Sequence, residues 1–216
     1  MVLFLDFDDT LFNTKKFNEA LARSGLNKHG ITSNIFLETY DAVKVTHTSE
    51  SGYYNLDEHV ELLAKYGNGG AAEIKTSMFD FARKKAKDFI FSDALPFLEA
   101  HKKYAPVLIT LTHGESEYQK HKIAWSGIQK YFKDTILTSG ATKGECIKKY
   151  MSQHDGHEKA LLLDDRGSWI TEAVQKNETL IPVQMRRSDG RYHDGDLGRC
   201  AHVRDMMEFA QLLQSF

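Results

Sequence analysis

The chain has little of several things that mark out whole classes of protein. Only two cysteines, Cys146 and Cys200, occur in 216 residues. That is too few for the disulfide framework of a small secreted domain, so both are expected as free thiols in a reducing compartment, with the cytoplasm as the default. No apolar run approaches the roughly 20 residues a spanning helix requires, and mean hydropathy is −0.45, so no membrane partner is expected. Neither sign of charge dominates: 28 Lys and Arg stand against 30 Asp and Glu. This balance lacks the electrostatic footprint of a protein that binds a nucleic-acid polymer or an anionic surface. The apolar start, Met1 to Leu5, has neither a basic leader nor a small-residue cleavage site, and no signal peptide is expected. Internal repeats, heptads and low-complexity tracts are missing too. The histidines are scattered, and His154 and His157 sit in a polar stretch without matching ligands, so no structural histidine-metal site is expected.

What is present is the pattern of an α/β protein. Val2 to Leu5 is a short continuous apolar run ended by Asp6, as in a strand buried on both faces of a parallel sheet. From Asn13 to about Phe91 the apolar residues instead recur at helical spacing, giving three or four helices with start signals at Thr32-Ser33 and Asn55 and stop signals at Gly67 and Gly69-Gly70. Strand and helix then alternate: a helix with Pro96 near its first turn and Leu95 and Leu98 facing inward, strands at Val107 to Leu111 and Thr135 to Leu137, a capping box at Thr142 to Glu145, and strands at Ala160 to Leu163 and Leu180 to Met185. Pro182 cannot donate to a ladder, which places the last of these at a sheet edge. The predicted fold class is a doubly wound parallel, Rossmann-like sheet with an inserted all-helical segment, the core comprising 1–12 and 92–216 and the insertion 13–91. An insertion of this length is not an ordinary loop.

In open α/β sheets the ligand site lies beyond the carboxyl ends of the strands. The sequence delivers Asp6, Asp8 and Thr10 after the first strand, Thr112, His113 and Gly114 after the second, Lys143 at a helix start, and Asp164 and Asp165 after the fourth. Carboxylates gathered in one place repel each other and call for a cation, and an all-oxygen set suits Mg2+, with Asp6, Asp8 and Asp164 as ligands. Thr112, the backbone around His113 and Gly114, and Lys143 are candidates for binding phosphoryl oxygens, since Lys143 adds its charge to a helix N-terminus that already favours anions. Asp6 could attack phosphorus while Asp8 protonates the leaving oxygen and then deprotonates water. Thr10 and Asp165 are supporting residues.

At these residues a family resemblance becomes specific. Asp6-Phe7-Asp8-Asp9-Thr10-Leu11 after an apolar strand resembles the first motif of the haloacid dehalogenase-like superfamily, and Thr112, Lys143 and Asp164-Asp165 resemble its second, third and fourth motifs in order. His113 departs from the pattern, since asparagine is common there in relatives. The resemblance implies that Asp6 is nucleophile and metal ligand, that Asp8 is the acid/base and also lends its backbone carbonyl to the metal, and that Asp164 is a further ligand. It also implies that the insertion is a helical cap of the first type. The expected activity is Mg2+-dependent hydrolysis of a small phosphorylated substrate, of the nucleotide or sugar phosphate class, through an aspartyl-phosphate. The alternatives are a phosphotransferase or mutase using the same intermediate, and a non-catalytic phosphate-binding or phospho-accepting switch.

Blander readings apply to several residues. An EF-hand calcium loop starting at Asp6 fails, because Leu11 and Phe17 stand where that loop needs glycine and a bidentate glutamate. Thr110 competes with Thr112 for the phosphate-binding hydroxyl, and His113 is open between orienting the backbone and touching substrate. The basic run Arg83, Lys84, Lys85 and Lys87 fans outward on a helix and reads as a solvated face. Lys15, Lys16, Tyr53 and Tyr54 lie in the insertion, with nothing in the sequence to orient them. Trp125, Tyr131 and Phe132 read as packing residues.

Overall fold

The computed structural model describes residues 1–46, 54–104, 106–110, 117–138, 141–154, 159–188, 198 and 200–216. The strands are β1 (Val2–Leu5), β2 (Val107–Thr110), β3 (Asp134–Leu137), β4 (Ala160–Asp164), β5 (Leu180–Met185) and β6 (Ala201–Val203). The α-helices are α1 (Thr14–Ala20), α2 (Ser33–Thr46), α3 (Leu56–Ala64), α4 (Ala71–Lys85), α5 (Ala94–His101), α6 (Glu117–Ser126), α7 (Lys143–Gln153), α8 (Gly167–Lys176) and α9 (Met206–Leu213). The chain divides into two compact units, one of Met1–Asn13, Ile90–Leu111 and Ile128–Phe216, the other of Thr14–Phe89 and Thr112–Gly127. The stretch carrying α6 therefore groups with the helical unit, whereas the sequence pattern had put it with the sheet.

The first unit is the α/β one. Its sheet has the order β3-β2-β1-β4-β5-β6, with every neighbouring pair parallel. The apolar run of β1 is explained by its central place: all four of its residues are buried. Val2 and Phe4 join one core with Val107 and Ile109 of β2, Ile147 and Tyr150 of α7, and Ile170 and Ala173 of α8. Leu3 and Leu5 point to the opposite face by strand alternation and are equally buried. The α5 and α9 helices meet through Phe97 and Phe209, whose ring centroids are 5.2 Å apart. Leu95 of α5 is 42% exposed, contrary to its expected inward face; Ala94, Phe97 and Leu98 are the buried residues of that helix.

The order of the strands reverses at β1, which lies between β2 and β4. That is the topological switch point at which doubly wound sheets leave a crevice. The β1–β4 ladder runs from Val2 opposite Ala160 to Leu5 opposite Leu163, and the Asp6 amide continues it by donating to the Leu163 carbonyl at 2.9 Å. Asp6 and Asp164 consequently leave the sheet side by side.

Pro182 does not put β5 at the edge. β6, a strand the sequence reading did not anticipate, pairs along β5 from Val183 to Met185. That pairing begins one residue beyond Pro182, so the proline occupies a level where β5 is bonded only to β4. The missing N–H is therefore tolerated in an interior strand.

In the second unit, α3 is capped by the Asn55 side chain, which accepts from the amides of Asp57 and Glu58. Gly70, with the Glu73 carboxylate on its amide, starts α4. Two histidines are structural pins. His29 bonds the Asn68 carbonyl and the Ser77 hydroxyl at 2.9 and 2.8 Å. His59, fully buried, bonds Thr39 Oγ1 at 2.9 Å and the Tyr54 hydroxyl at 2.8 Å, with the rings of Phe36 and Tyr40 also packed on it. The Arg83 to Lys87 basic run is a solvated face, with Arg83 paired to Asp80 and Lys85 to Asp88. Tyr53 lies outside the described residues. No helix among the described residues is long and apolar enough to cross a membrane.

Candidate active site

The capping box forms as its sequence demands. The Thr142 hydroxyl accepts from the Glu145 amide and the Glu145 carboxylate accepts from the Thr142 amide, which makes Lys143 the first residue of α7. Close approach of α8 holds this end in place. The Gly144 amide donates to Glu172 at 3.0 Å and its carbonyl accepts from the Asn177 side chain at 2.9 Å. A Cβ at Gly144 would stand 3.0 Å from the Ala173 Cα.

Lys143 is thereby buried, 1% exposed. Its ammonium donates to Asp6 Oδ1 at 2.7 Å and to Asp164 Oδ2 at 2.5 Å. The other Asp164 oxygen, Oδ1, accepts from the Arg166 amide at 2.9 Å. One carboxylate oxygen each from Asp6, Asp164 and Asp165 lies within 4.8 Å of the others. The Asp165 backbone is held through its carbonyl, which accepts from the buried Gln184 side chain at 3.1 Å. Gln184 stands opposite Asp164 in the β4–β5 ladder.

Three buried carboxyl groups around a single ammonium carry surplus negative charge when ionised. Burial pushes the Asp6 carboxyl up to about 7; Lys143 opposes the shift, while Asp164 and Asp8 add to it. Burial also raises Asp165 well above the carboxylate range, with Asp164, Asp6 and Asp9 contributing. For Lys143, burial acts against the charge, but Asp164 and Asp6 more than offset it and hold the ammonium above the ordinary lysine range. The electrostatics ask for a cation, and the donors are all hard oxygens. On both counts the residues fit magnesium.

The carboxylates gathered here are not quite those the sequence suggested. Asp165, expected only to support the site, is in the group, while the Asp8 side chain is half-buried and outside it. The role expected for the Asp8 backbone carbonyl does not depend on where its side chain points. Lys143 touches Asp6 and Asp164, although its expected partners were phosphoryl oxygens. Thr10 is fully buried with its hydroxyl lacking a hydrogen-bond partner among the described residues. Thr112, His113 and Gly114 lie outside the described residues.

Two residues near the site escaped the sequence reading. Gln184 left one trace, a lone amide in the apolar run Leu180 to Met185. Arg187 left none, because one arginine after a strand looks like any surface arginine. It is in fact 7% exposed and bonds the Thr10 carbonyl and Asp93.

No protein-family model and no curated protein sequence matches the chain. Solved structures do match, at low identity and over nearly all residues. YfnB of Bacillus subtilis, described as a HAD-hydrolase and bound to magnesium, is 17% identical with a TM-score of 0.69, covering 99% of this chain and 98% of its own. A candidate β-phosphoglucomutase from Thermotoga maritima is 16% identical with a TM-score of 0.67, at 99% and 98% coverage. The L-2-haloacid dehalogenase of Xanthobacter autotrophicus is 11% identical with a TM-score of 0.65, at 100% and 98% coverage. From end to end, the chain has the haloacid dehalogenase-like fold.

Proposed function

We propose that the chain is a phosphohydrolase acting on a small phosphomonoester, with Asp6 as the nucleophile and Asp8 as the general acid and base. The observation that carries this reading is the meeting of Asp6, Asp164, Asp165 and Lys143 at the switch point of the sheet. Residues 1–12 and 92–216 are assigned as the catalytic core, and 13–91 as the cap that chooses the substrate. Magnesium held by Asp6, Asp164, Asp165 and the Asp8 carbonyl would offset the repulsion between these carboxylates and an anionic phosphoryl group.

The remaining chemistry belongs to the chain itself. Lys143 has three N–H groups, of which Asp6 and Asp164 take two. The ammonium favours the ionised form of Asp6 and aims it, and its third N–H can meet a phosphoryl oxygen. Thr112 and the backbone of His113 and Gly114 are proposed to bind the other phosphoryl oxygens. In the first step an Asp6 oxygen bonds to phosphorus, the bond from phosphorus to the ester oxygen breaks, and the departing oxygen keeps the electron pair and takes the Asp8 proton. In the second, Asp8 accepts a proton from water as the water oxygen bonds to phosphorus. The Asp6–phosphorus bond then breaks, returning the Asp6 carboxylate and releasing phosphate.

Asp8 also favours this reading over halide displacement, which the fold supports in similar proteins, because a departing halide needs no proton. The test is phosphate release from nucleotide, sugar and other small phosphomonoesters, with and without Mg2+, by wild type and Asp6→Asn, with 2-chloropropionate as a further substrate. Mg2+-dependent release abolished in Asp6→Asn is expected. Halide release without phosphate release would replace the proposal with a dehalogenase, and phosphate appearing on an added alcohol in place of water would replace it with a phosphotransferase.

A further inference from the structure

We infer that Arg187 is a positioning residue for Asp8, fastening the turn that carries it and so setting the geometry of proton delivery to the departing oxygen. The inference rests on the phosphohydrolase reading above.

After β1 the chain from Asp6 to Phe12 folds back on itself. The amides of Leu11 and Phe12 both donate to the Phe7 carbonyl at 2.9 Å, and the Asp9 amide donates to the Phe12 carbonyl at 2.7 Å. Asp9, next to Asp8, has φ of +56°, the only positive value at a non-glycine among the described residues. An L residue keeps that conformation when its surroundings over-determine it. The local bonds above fasten one side of the turn, and Arg187 fastens the other.

The guanidinium donates to the Thr10 carbonyl from Nη2 at 2.8 Å and from Nε at 3.3 Å, and to Asp93 Oδ2 from Nη1 at 2.7 Å. Its Cζ lies over the Phe91 ring, 3.9 Å from the centroid. Phe91 itself donates its amide to the Leu11 carbonyl at 3.0 Å, so the residue whose ring contacts the guanidinium also grips the turn. Asp93 is anchored in turn, accepting from the Met206 amide at the start of α9 at 2.7 Å. A buried arginine is costly unless its donors are satisfied. Here three of its five N–H groups are spent on one backbone carbonyl two residues from Asp8 and on one carboxylate tied to a helix end. Lysine, a single point charge on a flexible stem, cannot span both acceptors and stack on the ring at the same time.

The test compares phenyl phosphate with p-nitrophenyl phosphate in the full chain with Mg2+, for wild type, Arg187→Lys, Asp93→Asn and Asp8→Asn. Nitrophenolate leaves readily without a proton, whereas phenolate needs one. A misplaced Asp8 therefore shows as a selective loss on phenyl phosphate, and a simple loss of folded protein lowers both rates by one factor. Arg187→Lys is expected to lose about tenfold more kcat on phenyl phosphate than on p-nitrophenyl phosphate, with KM nearly unchanged, Asp93→Asn following in the same direction and Asp8→Asn marking the limit. Equal losses on both substrates, or no loss, would overturn the positioning role. A wild type inert on both and on the phosphomonoester panel above would overturn the phosphohydrolase reading itself.

Discussion

Acidification should weaken the helical unit through one residue. His59 is fully buried, bonded at both ring nitrogens to uncharged hydroxyls, and surrounded by Phe36, Tyr40 and Tyr54. Burial lowers its pKa from 6.5 to about 4, against the opposing effect of a hydrogen bond to the Phe36 backbone. Below pH 6.5 the unfolded chain takes up a proton at this imidazole that the folded chain refuses, so unfolding becomes easier as pH falls. The contribution is complete above pH 6.5, declines through the interval, and levels off below about 4, where the folded state also protonates. At about 1.4 kcal/mol per pH unit the full loss amounts to about 3 kcal/mol. Urea unfolding followed by circular dichroism at several values between pH 7.5 and 4 measures it, with His59→Gln as the comparison. The variant is expected to be less stable at pH 7.5, having lost a fitted hydrogen-bonding ring, yet to show a pH slope shallower by one proton. Parallel slopes in the two proteins would refute the argument.

Two further perturbations probe the site. Lys143→Met removes the ammonium between Asp6 and Asp164, and breaking a buried pair from one side costs about 3–5 kcal/mol; urea unfolding in EDTA should show that loss and added Mg2+ should recover part of it, whereas stability within about 1 kcal/mol of wild type would be inconsistent with the buried pairing. Gly144→Ala should cost about 1–3 kcal/mol by overpacking, since the new Cβ meets the Ala173 backbone at 3.0 Å and Glu172 Oε1 at 2.8 Å. Its turnover should fall as the start of α7 shifts Lys143, and a crystal structure or unchanged kinetics would decide whether the helices yield.

Much of the site could be read from residue order because its parts are encoded locally. A short apolar strand can end in Asp6 only where the sheet ends, and Thr142 with Glu145 marks the start of α7 to the residue, since each side of a capping box needs the other at a fixed spacing. Those two signals were enough to nominate Asp6 and Lys143 from separate parts of the chain. The sequence could not say whether Asp8 or Asp165 would turn its side chain toward the other carboxylates. Each lies within three residues of a strand end, where the turn geometry, and not a repeating period, decides direction. Gln184, on a strand whose pairing register is set elsewhere, holds the Asp165 backbone.

By itself, then, the sequence determined the alternation of strands and helices, the helical insertion, and the carboxylates and lysine that end the strands and begin α7, all properties of patterns a few residues long. Tertiary structure alone decided that β5 is an interior strand, that Lys143 rests on two carboxylates, and that Arg187 reaches a carbonyl 177 residues away in the chain. Those are contacts between distant segments, and their energies depend on burial and geometry that exist only once the sheet has brought the segments together.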